Sequence, residues 1–251
     1  MGPEIIRHIG RAALAGATAF LVTFTLTPLV RSVAVRYGWI SKPLEDRWGR
    51  RVVARLGGTA MFLGFLGAVV VWVPLDRAML GLLVGAVLVV GLGLCDDVLR
   101  LPPYTKLIGQ LLIGCVVVSS GIRIELIHWP WLSIPLSVGW FVLLMNAFNL
   151  LDNMDGLAAG VGAIAAGFCV FHAAVAQQWT VVLPGLILCG ACLGFLRFNF
   201  PPAKIYMGDS GSHFLGLSLA VLALMGSWRH STQLLTVLAA PEPEMNAATV
   251  L

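Results

Sequence analysis

Eight runs of mostly apolar residues, each near the length of a bilayer crossing, occupy most of this sequence: 12–30, 56–75, 78–95, 105–121, 134–150, 156–176, 181–198 and 214–228. A spanning helix needs about 20 such residues, and a chain in hydrocarbon must satisfy its own backbone N–H and C=O groups. The pattern predicts an all-α polytopic membrane bundle with eight full spans. A charged fraction of 11%, against roughly 25% for a soluble domain, agrees. A ninth run, 234–240, is too short to cross and reads as an incomplete segment. No soluble domain or long linker interrupts the chain, so residues 1–251 read as a single membrane domain, expected to be cut short at its C-terminal end. The first run is long and is followed by basic residues, so it is expected to remain as a helix and not to leave as a signal peptide.

Charge placement predicts orientation. Between the first two runs lie Arg31, Arg36, Lys42, Arg47, Arg50, Arg51 and Arg55, seven of the 16 basic residues. Short loops rich in Lys and Arg stay in the cytoplasm, which puts the N-terminus outside. Threading outward, the loops carrying Asp96, Asp155 and Asp209 all fall on the cytoplasmic side, as do 11 of the 16 basic residues. Of the histidines, only His213 is expected to approach these loops. Cys95, Cys115, Cys169, Cys189 and Cys192 stand singly in apolar surroundings and read as packing residues.

Five aspartates sit where apolar segments end, and a carboxylate at the edge of hydrocarbon is costly unless it has a partner or a task. Asp96-Asp97 are followed by Arg100, Pro102, Pro103 and Lys106; both acids can face one site only if the helix stops there. The alternative is that Asp97 is solvated and Asp96 pairs with Arg100 or Lys106. Asn146, Asn149, Asp152 and Asp155 recur every third residue, a polar ridge on an apolar helix. Interhelical hydrogen bonding explains the asparagines but not two acids. Gly208-Asp209-Ser210-Gly211 precedes the eighth run, where a helix N-terminus offers N–H groups to phosphate or is simply capped. Gly57-Gly58, after Arg55, could cradle phosphate or merely turn the chain. Three acidic loops beside basic ones on one membrane face make a divalent-cation and phosphate site the expectation, with magnesium favoured by hard oxygen ligands. Residues 122–134 are expected to form a short extended or hairpin excursion, with Trp129 and Trp131 at the outer interface.

Taken in order, Arg55-Leu56-Gly57-Gly58, Asp96-Asp97 with Lys106 and Gln110, Asn146 through Leu157, and Asn199 with Ile205 through Ser212 resemble the polyprenyl-phosphate N-acetylhexosamine-1-phosphate transferases. This is glycosyltransferase family 4, which includes phospho-N-acetylmuramoyl-pentapeptide transferase. The resemblance covers about residues 31–226, and the wording around Asp152 is closer to the hexosamine-1-phosphate branch. It implies transfer of a sugar-1-phosphate from a UDP-N-acetylhexosamine to undecaprenyl phosphate, with release of UMP, at a cytoplasmic magnesium site that manganese could also fill. The setting implied is the bacterial inner membrane at the start of cell-envelope polysaccharide synthesis, with no nucleic acid involved and a homodimer compatible.

By motif match, Asp209 resembles the metal ligand, with Asn149 beside it. Asp96 and Asp97 resemble the pair that positions or deprotonates the lipid phosphate. Asn149, Asp152 and Asp155 resemble the frame of the nucleotide-sugar, Asn199 and Tyr206 the uracil pocket, and Lys106 and Arg55 the offset to phosphate charge. Asn153 replaces the first glycine of the family's Asp-Gly-x-Asp-Gly. Family members also continue to a His-rich cytoplasmic loop that has no counterpart before Leu251. A catalytically silent fragment is therefore one alternative expectation, and a lipid or ion transporter is another.

Overall fold

The computed structural model describes residues 3–41 and 53–239, with side chains to residue 226. Eight helices follow one another: α1 (Pro3–Arg36), α2 (Gly57–Trp72), α3 (Arg77–Leu99), α4 (Pro103–Ser119), α5 (Pro130–Leu151), α6 (Leu157–Val175), α7 (Trp179–Asn199) and α8 (Gly208–Ala239). Of these, α1, α3, α5, α6 and α7 are long and apolar enough to cross a membrane, and α2 and α4 are shorter apolar helices. The chain is a multi-pass, all-α membrane protein.

Local chemistry sets the helix ends. The Asp76 carboxylate accepts the Met79 N–H at 2.8 Å and caps α3, while α4 and α5 begin on Pro103 and Pro130, where a missing N–H costs nothing. The joins alternate between two ends of the bundle. At one end Arg31 donates to the Lys204 carbonyl, Tyr206 N–H to Ala54, and Asp209 N–H to Asp97. At the other, Arg11 donates to the Trp72 carbonyl and Arg77 to that of Ser119.

The core is built around α8, which packs against α2, α3, α5, α6 and α7. Residues 210–222 are buried without a break, Ser210, Ser212, His213 and Ser218 among them, as expected of a helix surrounded by its neighbours. Small residues let backbones meet there. A Cβ on Gly58 would lie 2.1 Å from the Gly211 Cα, and one on Gly93 would lie 2.4 Å from the Ser210 Cα.

Three expectations change. The 234–240 run does not open a ninth segment: α8 continues through Ala239, because no glycine or proline follows Gly226 until Pro241. Residues 122–129 form no hairpin. Ser133 donates to the Ile124 carbonyl and Ser137 receives the Ile124 N–H, so α5 itself satisfies the backbone of Ile124, while Trp129 and Trp131 are exposed and stacked on each other. A short antiparallel pair was missed: β1 (Ile40–Ser41) with β2 (Val53–Ala54), extended by a parallel bridge from Ala54 to Ile205. Lys42, Arg47, Arg50 and Arg51, between these strands, and residues 241–251 lie outside the described residues.

Candidate functional site

Four joins meet at one end of the bundle: those after α1, α3, α5 and α7. Asp96, Lys106 and Asp209 form the tightest contact there. The Lys106 ammonium lies 2.5 Å from Asp96 Oδ2 and 2.5 Å from Asp209 Oδ2. The other oxygen of each acid is held by the protein, since Asp96 Oδ1 accepts the Leu101 N–H at 2.7 Å and Asp209 Oδ1 accepts Asn149 Nδ2 at 3.0 Å. Asn149 Nδ2 also reaches Ser212 Oγ at 3.2 Å, so this asparagine meets Asp209 as a donor. One turn earlier, Asn146 donates to Gln110 Oε1, the interhelical bond that explains an asparagine on an apolar helix.

Asp97 is half-buried and engaged by the backbone. Its two oxygens accept the Asp209 and Ser210 N–H groups at 3.0 and 3.1 Å, and Asp152 takes the N–H of Gly208. The first turn of α8 is therefore capped by carboxylates from α3 and α5, and these N–H groups are not left for phosphate. Gly208 has φ of +76°, and a Cβ on it would lie 2.8 Å from the Asp97 oxygens, so glycine is required. Burial pushes the Asp152 carboxyl up to about 7, and the negative charges of Asp209 and Asp97 add to the shift against the Gly208 hydrogen bond.

The expected ridge breaks after Asp152, which caps α5, and Asp155 lies in the following turn. Asp155 Oδ2 accepts the Ala203 N–H at 2.9 Å. Asn199 is buried with both ends of its amide engaged: Oδ1 accepts from Gly156 N–H and Nδ2 donates to the Ile205 carbonyl, each at 3.0 Å. These bonds tie the α5–α6 turn to the α7–α8 loop. Gly57 and Gly58 spend their N–H groups on the Tyr206 and Met207 carbonyls at 2.9 and 2.8 Å, so at this pair the chain docks backbone to backbone.

Beside this lattice opens a cleft of about 760 Å³, lined among others by Arg55, Asp97, Asp152, Asp155, Tyr206 and Asp209. Ser41, Met154 and Pro201 also line it and were not anticipated; Ser41 is brought in by the missed strand pair. Ser212 was missed as well, although its place three residues after Asp209 on a helix is a readable signal. His213 does not line the cleft. Its Nδ1 donates to the Asp209 carbonyl at 2.6 Å and the ring is buried.

Among the described residues no group of three His, Cys, Asp or Glu side chains is arranged to hold a metal ion. Two carboxylates, Asp96 and Asp209, are turned toward one cationic position, with Asn149 against Asp209. That fits magnesium, which keeps waters and needs only one or two carboxylates plus substrate phosphates, and it does not fit zinc.

A family model described as glycosyl transferase family 4 matches residues 79–227. The chain is 32% identical over 232 residues to a probable undecaprenyl-phosphate N-acetylglucosaminyl 1-phosphate transferase of Bacillus subtilis, covering 88% of this chain and 65% of the relative. It is 36% identical over 236 residues to the decaprenyl-phosphate N-acetylglucosaminephosphotransferase of Mycobacterium tuberculosis, covering 83% and 58%. It is also 32% identical over 240 residues to the phospho-N-acetylmuramoyl-pentapeptide-transferase of Limosilactobacillus fermentum, covering 85% and 74%. The chain thus spans less than two thirds of the length of the first two relatives.

Proposed function

The chain belongs to glycosyl transferase family 4, and from that premise we propose that it transfers N-acetylhexosamine 1-phosphate from a UDP-sugar to a polyprenyl phosphate such as undecaprenyl phosphate. The names of its relatives support the reaction class. The observation that carries the reading is the convergence of Asp96, Asp97, Asp152, Asp155 and Asp209 with Lys106 and Arg55 around one end of the bundle. Asp96 and Asp209 share the one Lys106 ammonium, so this position keeps a net negative charge that would repel pyrophosphate unless a divalent ion offset it. Asp209 and Asp96 would hold that ion, and bound magnesium would neutralise charge on the donor pyrophosphate.

The residues then divide the work. Asn149 orients Asp209, and Asp97 and Asp152 fix the turn that carries it. Arg55 and Tyr206, on the cleft wall, face the nucleotide, while Asn199 and Asp155 hold the loops that shape its pocket. Asp96 positions or deprotonates the lipid phosphate; Asp97, with both oxygens on backbone N–H groups, is less available for that task. An oxygen of the lipid phosphate forms a bond to the phosphorus bearing the sugar, the bond from that phosphorus to the bridging oxygen breaks, and UMP leaves. The basic residues at this end support a cytoplasmic site with the N-terminus outside, in a bacterial plasma membrane. The acids lie at helix ends and not at a mid-membrane break, which favours transfer over transport.

Purified protein in lipid, given UDP-N-acetylglucosamine, undecaprenyl phosphate and magnesium, should release UMP, and EDTA should stop it. Turnover that survives EDTA would sink the mechanism. Binding of the UDP-sugar without turnover would point to a catalytically silent chain.

A further inference from the structure

Lys106 stands where its two acidic neighbours would put a metal ion. Asp96 and Asp209 each give one oxygen to a fixed protein donor and the other to the same ammonium. The acids are set rigidly, one in the last turn of α3 and the other in the first turn of α8, whose N–H groups are held by Asp97 and Asp152. The ammonium is not. It sits at the end of a four-carbon stem in the first turn of α4, with its side chain 21% exposed. A cation entering between these acids would displace the lysine and leave the carboxylates where they are.

We propose that Lys106 and the divalent cation alternate at this position, and that cation binding releases the ammonium to grip the phosphate of the lipid acceptor. The inference rests on the metal-dependent transfer proposed above. Two carboxylates and one ammonium carry a net negative charge, which repels a phosphate. Once a divalent ion joins them, the same group carries a net positive charge and Lys106 has lost both partners. The cation therefore precedes the lipid phosphate, and the lysine serves first as a placeholder and then as the anion contact. The same exchange keeps the acids compensated when no metal is bound, since an unpaired buried charge would be costly.

Pulsed acylation of lysines, read by mass spectrometry on the full chain in nanodiscs, tests the exchange directly. Without divalent ions Lys106 should be poorly modified. Saturating Mn²⁺ should raise its modification by about tenfold, a short polyprenyl monophosphate added next should protect it again, and exposed Lys204 should not change. In parallel, Mn²⁺ binding is titrated by electron paramagnetic resonance, and Lys106→Met should bind the ion about tenfold more tightly, having lost both its competitor and a repelling charge. Bound Mn²⁺ with unchanged Lys106 modification overturns this inference and leaves the transferase reading standing. Failure to bind Mn²⁺ even with UDP-N-acetylglucosamine present overturns both. Because the labelling arm uses the wild-type chain, the test holds even if Lys106→Met does not fold.

Discussion

Asp97 closes the first turn of α8 from a different helix: its carboxylate, in the last turn of α3, accepts the N–H groups of both Asp209 and Ser210. The residue proposed to hold the metal is therefore set in place by its neighbour's acid, and losing that acid exposes two buried donors. Hydrogen bonds to a charged group contribute about 1.5–3 kcal/mol each. Asp97→Ala should lower the melting temperature in detergent and reduce transfer together. Asp209→Asn should abolish transfer with a smaller fall in melting temperature, because Lys106 keeps Asp96 as a partner. Equal melting temperatures for the two variants would remove Asp97 from the capping role.

The glycines at the α2–α8 contact make a packing prediction. Gly58→Ala places a methyl group 2.1 Å from the Gly211 Cα, backbone against backbone, so the helices must separate. Overpacking of this kind costs about 1–3 kcal/mol or more. Gly139→Ala on α5, where a Cβ meets nothing within 4 Å, should be neutral or slightly stabilising. Thermal unfolding of both variants checks the contrast, and a tolerated Gly58→Ala would mean that α2 and α8 are not in backbone contact.

A pH dependence follows from Asp152, whose carboxyl is pushed up to about 7 by burial. Below about pH 4 the group is protonated in both the folded and unfolded chain and contributes nothing. Between about 4 and 7 the unfolded chain ionises while the folded one keeps its proton, so stability falls as pH rises, and above 7 the whole penalty is present. Asp152→Asn should thus raise the melting temperature of metal-free protein at pH 8 and change it little near pH 4. A stabilisation that is the same at both pH values would deny the shift.

Much of this site could be read from the sequence because of one physical rule, that acids do not end apolar segments without cause. Asp96, Asp97, Asp152 and Asp209 were found that way, and the strict alternation of helix direction brought them together. The sequence could not show which oxygen faces which donor. Asp97 and Asp209 are 112 residues apart, so the trans cap is invisible to local pattern, as is the engagement of Asn199 with Gly156 and Ile205. The two-residue strands are too short to carry a period, yet they bring Ser41 to the cleft and set Arg55 beside them. Residues 122–129 alternate like a strand, but the serines that satisfy Ile124 come from the next helix.

Topology decides whether the proposed cytoplasmic site can exist, and it is accessible to single-cysteine labelling in a variant lacking the five native cysteines. Tyr104, in the first turn of α4, and Asn153 and Lys204, in the joins after α5 and α7, are exposed at one end; Leu75, His128 and Gln177 are exposed at the opposite end. The basic residues cluster at the first end, including Arg31, Arg36 and Arg55 around the join after α1, and short basic loops remain in the cytoplasm. Cysteines at the first three positions should react with an impermeant maleimide only in inside-out vesicles, and those at the other three only in right-side-out vesicles. A uniform reversal would keep the shared site but move it to the outer face, away from cytoplasmic UDP-sugars. If Asn153 labelled from the face opposite to Tyr104, Asp96 and Asp209 could not both contact Lys106, and the proposed site would have to be abandoned.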